Sequence, residues 1–115
     1  MSDYGDMVAS LKKHGDLILS EINGQQMDAL HMAVGLSGEA GELLDCIKKW
    51  VVYQKPLDME NLTEELGDIE FYLEGIRQCL AIDRELVLAK NETKLRKRYG
   101  DKYSNTKAIE RADKV

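Results

Sequence analysis

The chain has 115 residues, of which 43% are hydrophobic, so it holds enough material for one small domain with a limited core. Its formal net charge of -5 argues against a general electrostatic grip on nucleic acid, since that grip requires basic surfaces. No apolar run approaches the roughly 18 residues that cross a bilayer, and no charged-then-apolar leader opens the sequence. We therefore expect one domain over residues 1–115, soluble and cytoplasmic, with neither nucleic acid nor membrane as a partner.

The composition favours helices. The chain contains one proline and 6% aromatic residues, whereas Leu, Glu, Lys, Ala and Met, which lose little rotamer freedom in a helix, are abundant. The two cysteines, Cys46 and Cys79, lack CxxC spacing and the density of a disulfide scaffold, which indicates buried thiols in a reducing compartment. The predicted fold class is all-α.

Hydrophobic periodicity predicts two helices in the first half of the chain. The first covers about residues 4–22 and ends at Asn23-Gly24. The second covers about residues 26–53 and contains Gly35, Gly38 and Gly41. Each glycine costs about 1 kcal/mol relative to alanine, which indicates close approach of a ligand or another helix. Alternatively, the stretch 35–38 is a kink or a break between two helices.

Two further helices follow the turn Gln54-Lys55-Pro56. Asp58 fits the N-cap of the third helix, which carries an apolar seam at four- and three-residue spacing over residues 62–80. Asp83 fits the N-cap of the fourth, which Gly100 stops. Four such helices predict a four-helix bundle-like protomer.

Two pairs of acidic residues have the same three-residue spacing on neighbouring helices. Glu39 and Glu42 share a face of the second helix, and Glu65 and Asp68 share a face of the third. Because the connecting turn is short, these helices should pack antiparallel with their axes roughly 8 to 10 Å apart, which places the pairs at similar heights. Four crowded carboxylates must be solvated, protonated or bound to a cation. Hard oxygen ligands select Mg²⁺, Mn²⁺ or Ca²⁺.

The four carboxylates around a cation would form a metal cage. The alternative is that they lie on an ordinary solvated helix surface. The chain contains 21 acidic residues, so pairs at this spacing arise by chance. The symmetric placement about one turn, and the small and apolar neighbours within residues 38–44 and 64–69, favour the cage. The alternative function is that of a non-enzymatic acidic helical binding or inhibitor protein, whose carboxylates would contact a basic partner directly.

Residues 38–44 and 64–68 resemble the ExxE…ExxD signature of the MazG-like, all-α nucleotide pyrophosphohydrolases, a superfamily that includes dimeric dUTPases and phosphoribosyl-ATP pyrophosphohydrolases. The resemblance extends from about residue 30 to residue 103. It implies cleavage of a nucleoside triphosphate between the α- and β-phosphates, with Mg²⁺ or, in its place, Mn²⁺ as the cofactor. The metal ligands implied are Glu39, Glu42, Glu65 and Asp68. Many members carry a further Glu directly before the first motif, where this chain has Gly38.

Substrate contacts are expected on the basic fourth helix and just beyond it, because an acidic chain needs a local cationic patch to hold a triphosphate. The resemblance also places phosphate- and sugar-binding residues here. Asn91 and Lys94 share a face and are the leading pair, whereas a solvated end that complements the helix dipole is an equal alternative for Lys97 and Arg98. Tyr103, in the polar tail from about residue 101, either stacks on a base or packs the tail.

For Tyr72, for Lys48 and Lys49, and for the oligomeric state, the sequence leaves two alternatives each. Tyr72, one turn beyond Asp68, either packs against a neighbouring helix or lines the cavity. Lys48 and Lys49 are expected to be solvated, with a phosphate contact as the alternative. The small size of the chain, together with the dimers and tetramers of the family that it resembles, predicts a homodimer or a homotetramer.

Overall fold

The computed structural model describes residues 3–100 together with Thr106 and Ile109. Within these residues the secondary structure is entirely helical, which confirms the predicted all-α class. The helices are α1 (Tyr4–Leu11), α2 (Gly15–Glu21), α3 (Gly24–Val51), α4 (Met59–Leu80) and α5 (Arg84–Tyr99).

Short polar side chains cap the starts of the three longest helices. Asp58 Oδ1 accepts a hydrogen bond from the Asn61 N–H at 3.0 Å, and Asp83 Oδ1 accepts one from the Glu85 N–H at 3.2 Å, so both predicted N-caps are confirmed. Asn23 caps α3 in a reciprocal capping box with Gln26. Asn23 therefore starts α3, although the sequence pattern placed it at the end of the preceding helix.

The single first helix predicted over residues 4–22 is wrong, since the chain forms two short helices there. Lys12 and His14 have extended backbones, with ψ of 131° and 141°, which separate α1 from α2. Neither short helix contains a buried residue, so no tertiary packing holds one continuous helix across this stretch. By contrast, α3 is one helix of 28 residues, which excludes a break at residues 35–38.

The α3/α4 hairpin is the one extensive helix–helix contact in the described part of the chain. Gln54 adopts a left-handed conformation, with φ of 54°, and the following N–H of Lys55 bonds to the carbonyl of Lys49 at 3.1 Å, which turns the chain after α3. At the open end of the hairpin, Gln25 Nε2 donates to the carbonyl of Cys79 at 2.9 Å. This antiparallel packing brings the two acidic motifs to the same groove.

Few side chains are buried within one copy of the chain. Among the described residues only Cys46 is buried, and large apolar side chains are exposed on every helix. The radius of gyration is 20.0 Å, compared with about 13 Å for a compact domain of this length. Of the predicted four-helix bundle, only the α3/α4 pair is extensively packed within the described part of one chain. No described helix is both long and apolar enough to span a bilayer.

Candidate metal centre in the helical hairpin

Three carboxylates converge in the groove between α3 and α4. One oxygen each from Glu39, Glu65 and Asp68 lies within 4.8 Å of the other two. Glu39 and Glu65 are half-buried, whereas Asp68 is exposed at the edge of the groove. The three-residue spacing within α4 places Glu65 and Asp68 on one helix face, and the hairpin places Glu39 opposite them.

The carboxyl group of Glu65 in this acidic cluster has a raised pKa. A hydrogen bond with Glu39, which requires one shared proton, is the largest cause that raises the pKa of Glu65 to about 7. Loss of solvent and repulsion from Glu39, Asp68 and Glu42 raise this pKa further. In addition, Glu65 Oε2 is fully buried and has no hydrogen-bond partner among the described residues. A buried acceptor without a donor costs free energy, which a cation at this position would offset.

Glu42 stands apart from the other three predicted ligands. It is exposed and lies outside the group of converging oxygens, one turn after Glu39 on α3. Its charge nevertheless contributes to the raised pKa of Glu65, so it lies at the rim of the same groove. The structure therefore brings together three of the four predicted ligands and leaves the fourth at the edge.

The donor set fits a hard divalent cation. All three converging groups are carboxylates, the ligand type that Mg²⁺, Mn²⁺ and Ca²⁺ prefer. Around one octahedral Mg²⁺ with bonds of 2.0–2.1 Å, adjacent oxygens are about 2.9 Å apart and opposite oxygens about 4.2 Å apart. Of three ligand oxygens at most one pair can be opposite, so oxygens that lie within 4.8 Å of one another must move closer together to bind one ion.

The predicted substrate-binding residues lie on a different element. Asn91, Lys94 and Lys97 are exposed on α5, and Arg98 is half-buried near its end. Lys94 and Lys97 help to line a shallow basic groove of about 430 Å³, which Asn91 does not line. Because α5 makes no extensive contact with the hairpin, one copy of the chain does not join this groove to the acidic cluster. Tyr103 lies outside the described residues.

Tyr72 packs across the hairpin beside the acidic cluster. A Cβ atom on Gly35 would overlap the ring of Tyr72, so the glycine admits that ring at the point where the helices approach. Phe71 meets the same ring edge-on, with centroids 5.1 Å apart. The structure thus supports the packing interpretation of Tyr72.

A second cavity lies at the closed end of the hairpin, between the last turn of α3 and the first turn of α4. This turn pocket has a volume of about 310 Å³ and is lined by Cys46, Lys49, Lys55, Pro56, Asp58 and Asn61. No motif of the sequence marks Asn61. Its four-residue spacing from Glu65, on the same face of α4, is the signal that would have found it.

Comparison with known proteins connects this geometry to one family. The family model of the MazG nucleotide pyrophosphohydrolase domain matches residues 27–102, which include most of α3 and all of α4 and α5. No curated protein and no solved structure is significantly similar to the chain. Since the match covers more than half of the sequence and both acidic motifs, the chain belongs to the MazG nucleotide pyrophosphohydrolase family.

Proposed function

We propose that the protein is a Mg²⁺-dependent nucleoside triphosphate pyrophosphohydrolase. It would cleave ribo- or deoxyribonucleoside triphosphates between the α- and β-phosphates, giving the monophosphate and pyrophosphate. The observation that carries this proposal is the convergence of Glu39, Glu65 and Asp68 around a buried, unpartnered carboxylate oxygen in a chain of the MazG family.

In this proposal Glu39, Glu65 and Asp68 hold the cation, and Glu42 completes the set from the rim of the groove. Mn²⁺ can take the place of Mg²⁺, since both accept carboxylate oxygens. When bound, such an ion neutralises charge on the phosphoryl oxygens and lowers the pKa of a coordinated water. The half-buried position of Glu39 and Glu65 limits bulk water around the reacting group.

Glu42 is our candidate for the general base. It is exposed and outside the converging group, so its carboxylate is the least committed to a cation. A carboxylate that faces the groove can accept the proton of the attacking water. Glu39, on the same face of α3, is the alternative.

The basic residues of α5 and its exit are proposed to bind the substrate: Asn91, Lys94, Lys97, Arg98 and Tyr103. Because α5 is not packed on the hairpin of its own chain, we propose that it acts on the acidic cluster of a second subunit in a homodimer or homotetramer. The cytoplasm, where nucleotides and Mg²⁺ are abundant, is the proposed location.

Release of pyrophosphate tests the proposed activity. Purified protein with Mg²⁺ should release pyrophosphate from at least one member of a panel of canonical, deoxy and damaged nucleoside triphosphates, and EDTA should abolish the release. The same panel identifies the preferred base and sugar. A non-enzymatic acidic binding protein would release pyrophosphate from none of them.

Single-atom substitutions test the proposed ligands. Glu65→Gln, Asp68→Asn and Glu42→Gln should each lower kcat by a factor on the order of 10² or more, because each removes a charge that holds the cation or accepts the proton. Glu64→Gln is the matched control, since Glu64 is an exposed neighbour on α4 outside the cluster. Helical circular dichroism should be unchanged in all four variants. Full turnover in Glu65→Gln and Asp68→Asn would refute the assignment.

A further inference from the structure

The turn pocket contains polar donors that the proposed metal cage does not use. The ammonium group of Lys55 has no carboxylate partner within the described residues, and the side-chain amide of the half-buried Asn61 has no hydrogen bond there. Lys49 pairs with Asp45 at 3.0 Å, but both side chains are about half exposed, so solvent weakens this pair. The pocket thus offers two ammonium groups and an amide to an anion.

The acidic side chain in the pocket wall is already engaged. Asp58 Oδ1 accepts the hydrogen bond from the backbone N–H of Asn61 that caps α4. The carboxylates of Asp58 and of Glu60 in the first turn offset the positive dipole end of this 22-residue helix, so the positive charge in the pocket comes from Lys49 and Lys55. A ligand with several negative oxygens matches this set of donors better than a neutral one.

The pocket lies one helical turn nearer the closed end of the hairpin than the acidic cluster. Asn61 precedes Glu65 by four residues of α4, about 6 Å along the helix axis. On α3, Cys46 and Lys49 follow Glu42 by four and seven residues, so they continue the same helix face toward the turn. A linear phosphate chain that starts at the cluster can therefore extend into the pocket.

We propose that the turn pocket binds the β- and γ-phosphates of the substrate, and then the pyrophosphate that leaves. This inference rests on the proposed pyrophosphohydrolase activity and specifies which end of the substrate lies where. When the bond between the α- and β-phosphates breaks, negative charge develops on the departing pyrophosphate. Hydrogen-bond donors and cations are therefore needed on that side of the cluster. Lys55 and Asn61 supply them, with Lys49 beside them.

Binding of inorganic pyrophosphate to the Mg²⁺-loaded protein tests this assignment without requiring turnover. Calorimetry should give a Kd at least fivefold higher for Lys55→Met and for Asn61→Leu than for the parent protein. Lys48→Met is the matched control, since Lys48 is on the same helical turn as Lys49 but lies over the ring of Tyr53, 5.6 Å from its centroid, and does not line the pocket. Its Kd should be unchanged.

Protection of the Cys46 thiol from alkylation tests whether pyrophosphate binds in the turn pocket. Cys46 lines the pocket, with Sγ 3.9 Å from the carbonyl oxygen of Asp58. In a Cys79→Ser background, pyrophosphate should slow alkylation of Cys46 at least fivefold, and adding Lys55→Met should remove most of this protection. Binding of the nucleoside monophosphate product should be equal in the parent and Lys55→Met proteins.

Two results would overturn the inference. One is the same pyrophosphate Kd and the same Cys46 protection in the parent and Lys55→Met proteins. The other is a selective loss of monophosphate binding in Lys55→Met, since the pocket would then hold the nucleoside end. Pyrophosphate binding that depends on Lys55 in a protein without any hydrolysis would refute the proposed activity alone, so the two failures are distinguishable.

Discussion

At Glu65, burial and three acidic neighbours act in the same direction on one carboxyl group. The pKa of Glu65 rises from 4.5 to about 7, first through its hydrogen bond with Glu39 and then through loss of solvent and repulsion. Between these two pH values the folded, metal-free protein keeps a proton that the unfolded chain releases. The stabilisation from this proton is therefore complete below pH 4.5 and is lost as the pH rises through about 7.

This linkage predicts the pH dependence of the metal-free protein. In EDTA, the midpoint of thermal unfolding should fall between pH 5 and pH 8, because deprotonated Glu65 is left among like charges. Glu65→Gln should flatten the profile, since the amide cannot titrate. The measurement is circular dichroism at fixed protein concentration, with Glu64→Gln as the control that keeps the parent profile. A Glu65→Gln profile as steep as that of the parent would contradict this account.

The same proton should be displaced by the cation. If Glu65 binds Mg²⁺ as a carboxylate, binding near pH 6 should release close to one proton, and the affinity should increase from pH 5 to pH 8. Calorimetric titration in two buffers of different ionisation enthalpy measures the number of protons released. Binding that releases no proton at pH 6, or an affinity that does not change with pH, would place the cation away from Glu65.

At the scale of the elements, two glycines determine how closely α3 and α4 approach. A Cβ on Gly35 would overlap the rigid ring of Tyr72, whereas a Cβ on Gly75 would meet the flexible end of Met32. Gly35→Ala should therefore lower the free energy of unfolding by about 1–3 kcal/mol, the usual cost of overpacking, despite the better helix propensity of alanine. Gly75→Ala should cost less, because the methionine can move.

Chemical denaturation of five proteins tests whether the clash with the Tyr72 ring causes this loss of stability. Gly35→Ala, Tyr72→Leu and the double variant form a cycle with the parent, and the second substitution should relieve the first because it removes the ring. Gly75→Ala serves as the comparison at the other close approach. If the changes in unfolding free energy are additive in the cycle, the Tyr72 ring is not what makes Gly35→Ala destabilising.

The accuracy of prediction differs between elements for physical reasons. The starts of α4 and α5 were predictable, because Asp58 and Asp83 cap them through contacts within three residues. The split between α1 and α2 was not, since it follows from the absence of tertiary packing, which periodicity does not report. Three of the four proposed metal ligands meet because the spacing and the hairpin were both predictable. The turn pocket required the structure, since Lys55 and Asn61 belong to no motif.

At the scale of the whole molecule, α3 presents an apolar stripe that the described residues of its own chain leave largely exposed. Its exposed members, at helical spacing along one face, are Leu30, Val34, Leu44 and Val51, with small Ser37 and Gly41 between them. Combined with a radius of gyration of 20.0 Å, this stripe supports the proposed homodimer or homotetramer, in which part of the core would be formed between copies of the chain. That arrangement also agrees with the proposal that α5 serves the cluster of a second subunit.

Substitution within this stripe tests the proposed assembly. Leu44, 66% exposed in the single chain, should become buried in a dimer or tetramer, where a leucine contributes about 1.5–3 kcal/mol in each copy. Leu44→Glu should therefore lower the mass measured by light scattering and reduce the thermal midpoint, which in the parent protein should rise with concentration. Leu11→Glu is the matched control, because Leu11 is 78% exposed at the end of α1 and lies off the stripe. If the parent protein is monomeric at working concentration, the assembly and the action of α5 on a second subunit are both refuted, whereas the metal cage within one hairpin is unaffected.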